Sequence, residues 1–285
     1  LPIVYQAVYN GRPVVYLLID SFIAYFIIIK TGKTAIGPKM IILLSNDDGI
    51  AAPGITCLEK VLVESGDIWT VAPDRAQSAM SRALTLSLPL KTARLAARRF
   101  TVNGTPSDCV NIAVNKLMPV KPDLVISGIN CGPNLCDDIS YSGTVAAAFE
   151  ATILGIPAIA VSLAARKDCI FKPAAEFIKR IIPIVLKKKL PDNTFLNINI
   201  PDTGGRKITG AKVTHQGKSL YENSITERTD PRGEIYFWIG GDGNSYADIP
   251  GSDADAVQNG FASITPISTD LTDYPSLEVI KTWNL

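Results

Sequence analysis

Histidine is almost missing from this chain: His215 is the single one in 285 residues. A zinc centre built on imidazole is therefore excluded, which leaves oxygen or thiolate donors for any metal. An excess of one charge is missing too, since 28 basic and 27 acidic side chains leave a formal net charge of +1. Nothing in that balance draws a polyanion, and tryptophan and arginine do not interleave as stacking platforms, so no nucleic-acid polymer is expected as a partner. No GxxxxGK[ST] phosphate loop occurs, and Gly128, Gly132 and Gly143 do not form a GxGxxG turn after the first clear strand. Dinucleotide binding with hydride transfer thereby ranks low. The five cysteines, Cys57, Cys109, Cys131, Cys136 and Cys169, contain no CxxC pair and are odd in number. They follow no disulfide framework, and the reading is a reducing compartment, the cytoplasm, with no bridge expected. Cys131 and Cys136 flank a glycine-rich loop; incidental filling by small residues is preferred there to a thiolate metal site.

An apolar content of 47% against 19% charged residues gives material for a large core and excludes a disordered chain. Residues 1–39 do not match the rest. Pro13 to Ile29 is almost unbroken in its apolarity but contains Asp20 and Ser21. That makes it short for a bilayer span, with a costly acid near its centre, and no secretory cleavage pattern follows. Three readings stay open: a marginal membrane anchor, a disordered or extra packed segment, or a start codon placed too early. Met40 directly precedes the first clear strand, and initiation there removes the anomaly, which is the reading preferred. A membrane is not expected as a partner unless residues 13–29 form a genuine anchor.

From Met40 onward short apolar runs alternate with helical periods, the pattern of a mostly parallel sheet covered on both faces. Strands are expected at Ile41 to Leu44, Ile68 to Val71, Asp123 to Gly128, Ala158 to Val161, Phe195 to Ile200 and Phe261 to Pro266. Between them, helices are expected around Ile55, Leu58 and Leu62, after the Thr105-Pro106 cap, over Thr144 to Leu154 and over Ala174 to Leu186. Leu84 to Leu90 and Phe100 to Val102 read as the two arms of a hairpin. Residues 207–260 change to strand periodicity, with Ile208 to Thr214 and Ile235 to Ile239 as candidate arms of a protruding ribbon lobe. The expected organisation is an N-terminal extension at 1–39, a core at 40–206, the lobe at 207–260 and a returning strand with a C-terminal arm at 261–285.

Four polar loops leave predicted strand ends: Asn46 to Gly49, Pro73 to Ser78, Asn130 to Asn134 and Asp137 to Thr144. In a parallel sheet such ends face one way, so these loops can converge. Asp47 and Asp48 are adjacent carboxylates at the end of a buried strand, and a bound cation is the economical way to hold both there. Oxygen donors without histidine favour Mg²⁺ or Mn²⁺. The plainer alternative is an Asx turn with a helix cap, which explains one acid but explains Asn46, Asp47, Asp48 and Gly49 together less well. Ser142-Gly143-Thr144 opens an alanine-rich helix whose free N–H groups can take an anion, although ordinary capping uses the same letters. Ser78 has no base beside it and reads as a hydrogen-bond donor to phosphate rather than a nucleophile.

SNDDGI at Ser45 to Ile50, VAPDRAQSA at Val71 to Ala79, NGTPSDCV at Asn103 to Val110, SGINCGPN at Ser127 to Asn134 and YSGTVAAAFEA at Tyr141 to Ala151 resemble the SurE family of metal-dependent nucleotide phosphatases. LNINIP, VTHQG and SITPI further on fit the same family, so the resemblance runs from about Met40 to the final residues. It implies a Rossmann-like three-layer α/β core with a protruding β-hairpin lobe and a C-terminal arm, assembled as a homodimer or homotetramer. It implies hydrolysis of nucleoside 5′- and 3′-monophosphates, with one divalent ion per subunit on Asp47, Asp48, Ser78 and Asn130. Asn46, Asn134, Ser142, Gly143 and Thr144 would then line the phosphate pocket. A broad-specificity acid phosphatase, an exopolyphosphatase or a non-catalytic nucleotide-binding protein are the alternatives. Departures from the family pattern are Cys136 in place of glycine, His215 in place of arginine, Met80 in place of a smaller residue, and the 39-residue front. Cys136 is the departure expected to crowd the metal loop.

Overall fold

The computed structural model describes residues 3–9, 12–19, 22–26, 39–165, 167–208, 210–220, 225–239 and 245–283. It contains two compact units, residues 1–39 and 40–285. In the first, β1 (Ile3–Tyr9), β2 (Arg12–Ile19) and β3 (Phe22–Phe26) form an antiparallel meander with Tyr5 opposite Tyr16 and Tyr16 opposite Tyr25. Asp20 and Ser21 lie outside the described residues. Among the described residues no helix is long and apolar enough to cross a membrane.

The second unit starts with β4 (Ile41–Ser45), whose side chains are buried towards both faces of the sheet. Pro53 and an apolar spacing then give α1 (Pro53–Leu62), with Ile55, Leu58 and Leu62 turned inward. After β5 (Asp67–Pro73) comes an antiparallel pair, β6 (Thr92–Ala96) and β7 (Arg99–Val102). The hairpin is thus real but its first arm is later than Leu84 to Leu90. That leucine run lies in irregular chain, with Leu86 89% exposed. Leu84, Leu86 and Leu88 are exposed and only Leu90 packs against the core, Pro89 lacks a ladder donor, and Thr85 is held instead by the Asp108 carboxylate through its N–H at 3.1 Å and its hydroxyl at 2.7 Å.

Thr105 and Asp108 close a reciprocal capping box at the start of α2 (Pro106–Ile112), as their spacing predicts, and a π-helical turn continues it over Ala113–Leu117. β8 (Leu124–Cys131) leads through the 3₁₀ turn Cys136–Ser140 into α3 (Gly143–Ile153). β9 (Ala158–Ala164), α4 (Lys172–Lys188) and β10 (Thr194–Pro201) complete the parallel part. Then follow β11 (Ala211–Val213), β12 (Ser219–Leu220), β13 (Ile225–Thr229), β14 (Ile235–Ile239), β15 (Ser245–Tyr246), α5 (Asp253–Gln258), β16 (Ala262–Ser268) and α6 (Tyr274–Ile280).

The main sheet has the order β11-β16-β10-β9-β8-β4-β5-β7-β6. β4 pairs in parallel with β5 on one side and β8 on the other. The strand order therefore reverses at β4, and the crevice outside its carboxyl end is where open α/β sheets hold ligands. One core lies on the side of α1 and α4, with Ile42, Leu44, Ile126, Ile159 and Ile178; the other lies on the side of α2 and α3, with Leu43, Val71, Val125, Phe149 and Phe195. Adjacent residues of β4 thus feed opposite cores, and each fully buried leucine there contributes about 2 kcal/mol.

The lobe differs from its expected pairing. Ile235–Ile239 pairs with Ile225–Thr229, closed by a turn in which Asp230 accepts from the N–H groups of Arg232 and Glu234. Ala211–Val213 joins the edge of the main sheet, parallel to β16. The reason is local: Ile208 is buried in the core beside β16, which commits that segment to the sheet before the ribbon begins.

Candidate active site

Ser45 ends β4, and the next four residues turn sharply. The Asn46 side chain closes that turn, donating from Nδ2 to the Gly49 carbonyl at 2.9 Å and accepting from the Gly49 N–H at 3.2 Å. Asn46 is fully buried, so its amide does the work of an Asx turn rather than facing a ligand. Gly49 has φ +98°, open to glycine without strain, and an added Cβ would come within 3.2 Å of the Arg75 backbone. The turn therefore lies flat against the loop that follows β5, and Ile50 N–H donates to the Pro73 carbonyl at 2.9 Å.

That packing brings the loops together. The Gln77 N–H donates to the Asp47 carbonyl at 2.7 Å, which places Ser78 one residue from a direct contact with the acid turn. Ser78 itself lies exposed at a turn. On the other side, the Cys131 N–H at the end of β8 donates to the Asp48 carboxylate, which places Asn130 next to it. Asn130 Nδ2 donates to the Gly132 carbonyl at 2.8 Å, so its amide oxygen is the end left for another partner. From α3, the Thr144 hydroxyl donates to Asp47 Oδ1. Gly143 is in close contact as well: a Cβ there would sit 2.8 Å from Asp47 Cβ and 3.2 Å from the Gln77 carbonyl.

The electrostatics follow from this geometry. Asp47 is buried, and its carboxyl is raised from the ordinary 3.8 by loss of solvent, with the Thr144 hydrogen bond acting against that rise. Asp48 is pushed up to about 6, first by burial and then by the Asp47 charge, with the Cys131 N–H opposing. Among the described residues, no lysine, arginine or histidine forms an ion pair with either carboxylate. No group of three or more His, Cys, Asp or Glu side chains able to hold a metal occurs among the described residues either. Two carboxylates, an amide oxygen and a hydroxyl are a donor set of a different kind, all hard oxygens, and it suits Mg²⁺ or Mn²⁺.

Ser142 caps α3, accepting from the Val145 N–H at 3.1 Å, while Gly143 and Thr144 occupy the first turn, where backbone donors have no helical partner. Asn134 is placed differently from its expected phosphate role. Its Nδ2 donates to Ser162 Oγ at 2.7 Å, its N–H donates to Asn199 Oδ1 at 2.8 Å, and its carbonyl accepts from Asn197 and Asn199. These buried amides clamp the loop that carries Asn130 and leave the Asn134 side chain engaged inside the fold. Nothing in the motif letters marks Asn197 and Asn199 for that task beyond two polar residues in a strand otherwise fit for burial.

Cys136 does not crowd the acids. Its thiol points at the buried Asp253, Sγ to Oδ1 3.4 Å, and burial and that carboxylate push the thiol well up. Its φ is +54°, a backbone region that glycine takes freely, which fits the residue type expected at that position. His215 contacts the Gln216 carbonyl at 3.1 Å, and Gln216, with Ser142, Arg82 and Phe149, lines a cavity of about 200 Å³ beside the α3 cap. The expectation of no disulfide is overturned: Cys131 and Cys169 are bridged, with Cα atoms 6.0 Å apart. They are 38 residues apart in sequence and follow neighbouring parallel strands, a proximity that cysteine spacing cannot reveal.

A family model described as "Survival protein SurE" matches residues 42–223. A 5′-nucleotidase SurE of Geotalea uraniireducens is 50% identical over 247 residues, covering 86% of this chain and 100% of that protein. Another from Pseudoalteromonas atlantica is 47% identical over 244 residues, covering 86% and 98%. Among solved structures, the SurE protein of Aquifex aeolicus superposes with a TM-score of 0.77 at 43% identity, covering 85% of this chain and 98% of that one.

Proposed function

The chain belongs to the SurE family, and from that premise we propose that it is a metal-dependent phosphomonoesterase that hydrolyses nucleoside 5′- and 3′-monophosphates. The coarser activity, nucleotide phosphoester hydrolysis, is supported by relatives of nearly half or more identical residues over their full lengths that carry the name 5′-nucleotidase. One observation carries the finer reading: two adjacent carboxylates, both raised and neither ion-paired among the described residues, lie at the strand-order reversal beside the first turn of α3.

Asp47, Asp48, Ser78 and Asn130 would hold one Mg²⁺ or Mn²⁺ per subunit. Bound there, the ion would polarise a phosphoryl oxygen and acidify a water. The residues of the chain supply the rest. Thr144 fixes one oxygen of Asp47, so the carboxylate has a defined orientation toward the attacking water. Cys131 N–H holds Asp48, and the Gly132 carbonyl turns Asn130 so that its amide oxygen serves as the donor. The first turn of α3 from Ser142 to Thr144 would face the remaining phosphate oxygens, with the helix start favouring their charge. Assembly as a homodimer or homotetramer is supported by the apolar surface of the lobe, where Phe237, Trp238 and Ile239 are all exposed, and by α6, none of whose residues is buried.

The test is phosphate release from AMP, GMP and 3′-AMP with EDTA, then with Mn²⁺ restored. Loss with the chelator and recovery with the metal are expected. Hydrolysis indifferent to EDTA would sink the metal-dependent reading.

A further inference from the structure

The Cys131–Cys169 bridge is one hydrogen bond away from the same acid turn. Cys131 is the last residue of β8, and its own N–H holds the Asp48 carboxylate. Its neighbours are pinned as well: Asn130 Nδ2 donates to the Gly132 carbonyl, and the Gly132 N–H donates to the Leu163 carbonyl at the end of β9. Cys169 belongs to the connection between β9 and α4, where Lys167 and Asp168 are exposed and Asp168 has φ +51°. Cys131 is exposed and Cys169 half-buried, so the sulfurs can be reached from solvent. Exposed disulfides are those that thiol reagents attack readily, whereas buried ones resist. The other three cysteines are unpaired: Cys109 and Cys136 are buried, and Cys57 is half-buried on α1.

We infer that Cys131 and Cys169 form a reversible thiol–disulfide site that tightens divalent-metal binding at Asp48 and Asn130 when oxidised and loosens it when reduced. The inference rests on the metal reading given above. In the reducing direction a dithiol attacks one sulfur, the Cys131–Cys169 bond breaks, and a second thiol of the reagent closes its own disulfide. Two electrons and two protons pass to the protein, leaving two cysteine thiols. A small-molecule disulfide drives the reverse reaction. With the bridge open, the end of β8 loses its covalent tie to the β9–α4 connection. The Cys131 N–H then holds Asp48 from a less constrained backbone. Contacts that orient a metal ligand from behind are commonly worth about tenfold in metal affinity.

The experiment uses the full chain prepared in oxidised and dithiol-reduced forms, each assigned by differential alkylation and peptide mass spectrometry. Mn²⁺ binding is read from the loss of the free-ion electron paramagnetic signal, which needs no turnover. Oxidised protein is expected to bind about tenfold more tightly than reduced protein, and Cys169→Ser is expected to bind as the reduced form does, whatever the reagent. Cys131→Ser should match Cys169→Ser. Three results would overturn the inference: no Cys131–Cys169 peptide under a small-molecule disulfide, equal Mn²⁺ affinity of the two forms, or a redox response that persists in Cys169→Ser. If no Mn²⁺ binds to either form, the metal reading fails on its own account, and the peptide map still decides whether the bridge forms.

Discussion

Buried aspartates occur in two kinds of place in this fold, and what surrounds each separates them. Asp253, fully buried at the start of α5, accepts from the N–H groups of Cys136 at 2.9 Å, Gly217 at 2.9 Å and Ala254 at 2.8 Å, with the Cys136 thiol as a further donor. Asp108 is similar, receiving the N–H groups of Thr105 and Thr85 and the Thr85 hydroxyl. Each replaces its lost water with fixed protein donors and ties distant segments together. Asp47 and Asp48 sit side by side; Asp47 receives the Thr144 hydroxyl together with the backbone N–H groups of Thr144 and of Asp47 itself, Asp48 receives the Cys131 N–H, and burial still leaves both carboxyls raised. A carboxylate already served by the chain is a structural anchor. Two adjacent carboxylates that burial leaves raised are a place for a cation.

The comparison breaks most directly by exchanging the two roles. Asp47→Asn keeps shape and the ability to accept from Thr144 but removes the charge. Phosphate release from AMP is expected to fall roughly 10³-fold, with no loss of melting temperature. Asp253→Ala should do the opposite. It strands three inward-pointing N–H groups, for a loss of about 3 kcal/mol in denaturant unfolding, while the hydrolysis rate per folded molecule is largely retained. An Asp47→Asn protein that unfolds, or an Asp253→Ala protein that folds well but cannot hydrolyse AMP, would dissolve the distinction.

A smaller effect sharpens it through pH. Asp48 has a folded value of about 6 against an ordinary 3.8, so between those values the folded protein binds more protons than the unfolded chain. Stability of metal-free protein must then fall as pH rises through that window and level off above it. The full shift corresponds to roughly 3 kcal/mol, and partial solvent exposure reduces the expected gain from Asp48→Asn to about 2 kcal/mol above the window. Denaturant titrations in EDTA across the window decide it: wild type and Asp48→Asn should converge at the acid end and separate at neutral pH. Curves that stay parallel would mean that folding does not raise Asp48.

Much of the layered core was legible because buried parallel strands announce themselves as short apolar runs. Ile41 to Leu44, Ala158 to Val161 and Phe195 to Ile200 each appear within the observed strands β4, β9 and β10. The capping box at Thr105 and Asp108 was readable for the same reason, since its partners are three residues apart. Pairings decided by distant surfaces were not. Leu84, Leu86 and Leu88 alternate like a strand but have nothing apolar to rest on, and Ala211–Val213 goes to the sheet edge because Ile208 is already buried there. At the site, sequence singles out Asp47 and Asp48, yet the groups that orient them are mostly backbone. Gln77 and Cys131 act through their N–H groups, which no residue letter encodes. The Asn134 clamp and the Cys131–Cys169 bridge are long-range for the same reason: each joins segments that belong to different strands and their connections.

Thr144 is the finest test of the division between anchor and site, because it is the one side chain expected to face a ligand that also holds an acid. Its hydroxyl donates to Asp47, and its backbone N–H lies in the first turn of α3. Thr144→Val preserves volume in a fully buried position and removes only the donor. Thr144→Ser removes a methyl group and keeps the donor. If the hydroxyl orients Asp47 for proton acceptance, the valine variant should lose about 1 kcal/mol in kcat, roughly fivefold, with KM nearly unchanged because the backbone cradle is intact. The serine variant should recover most of that loss despite its smaller side chain. Equal kcat in both variants would show that packing of the helix start against Asp47, rather than the hydrogen bond, sets the carboxylate's position.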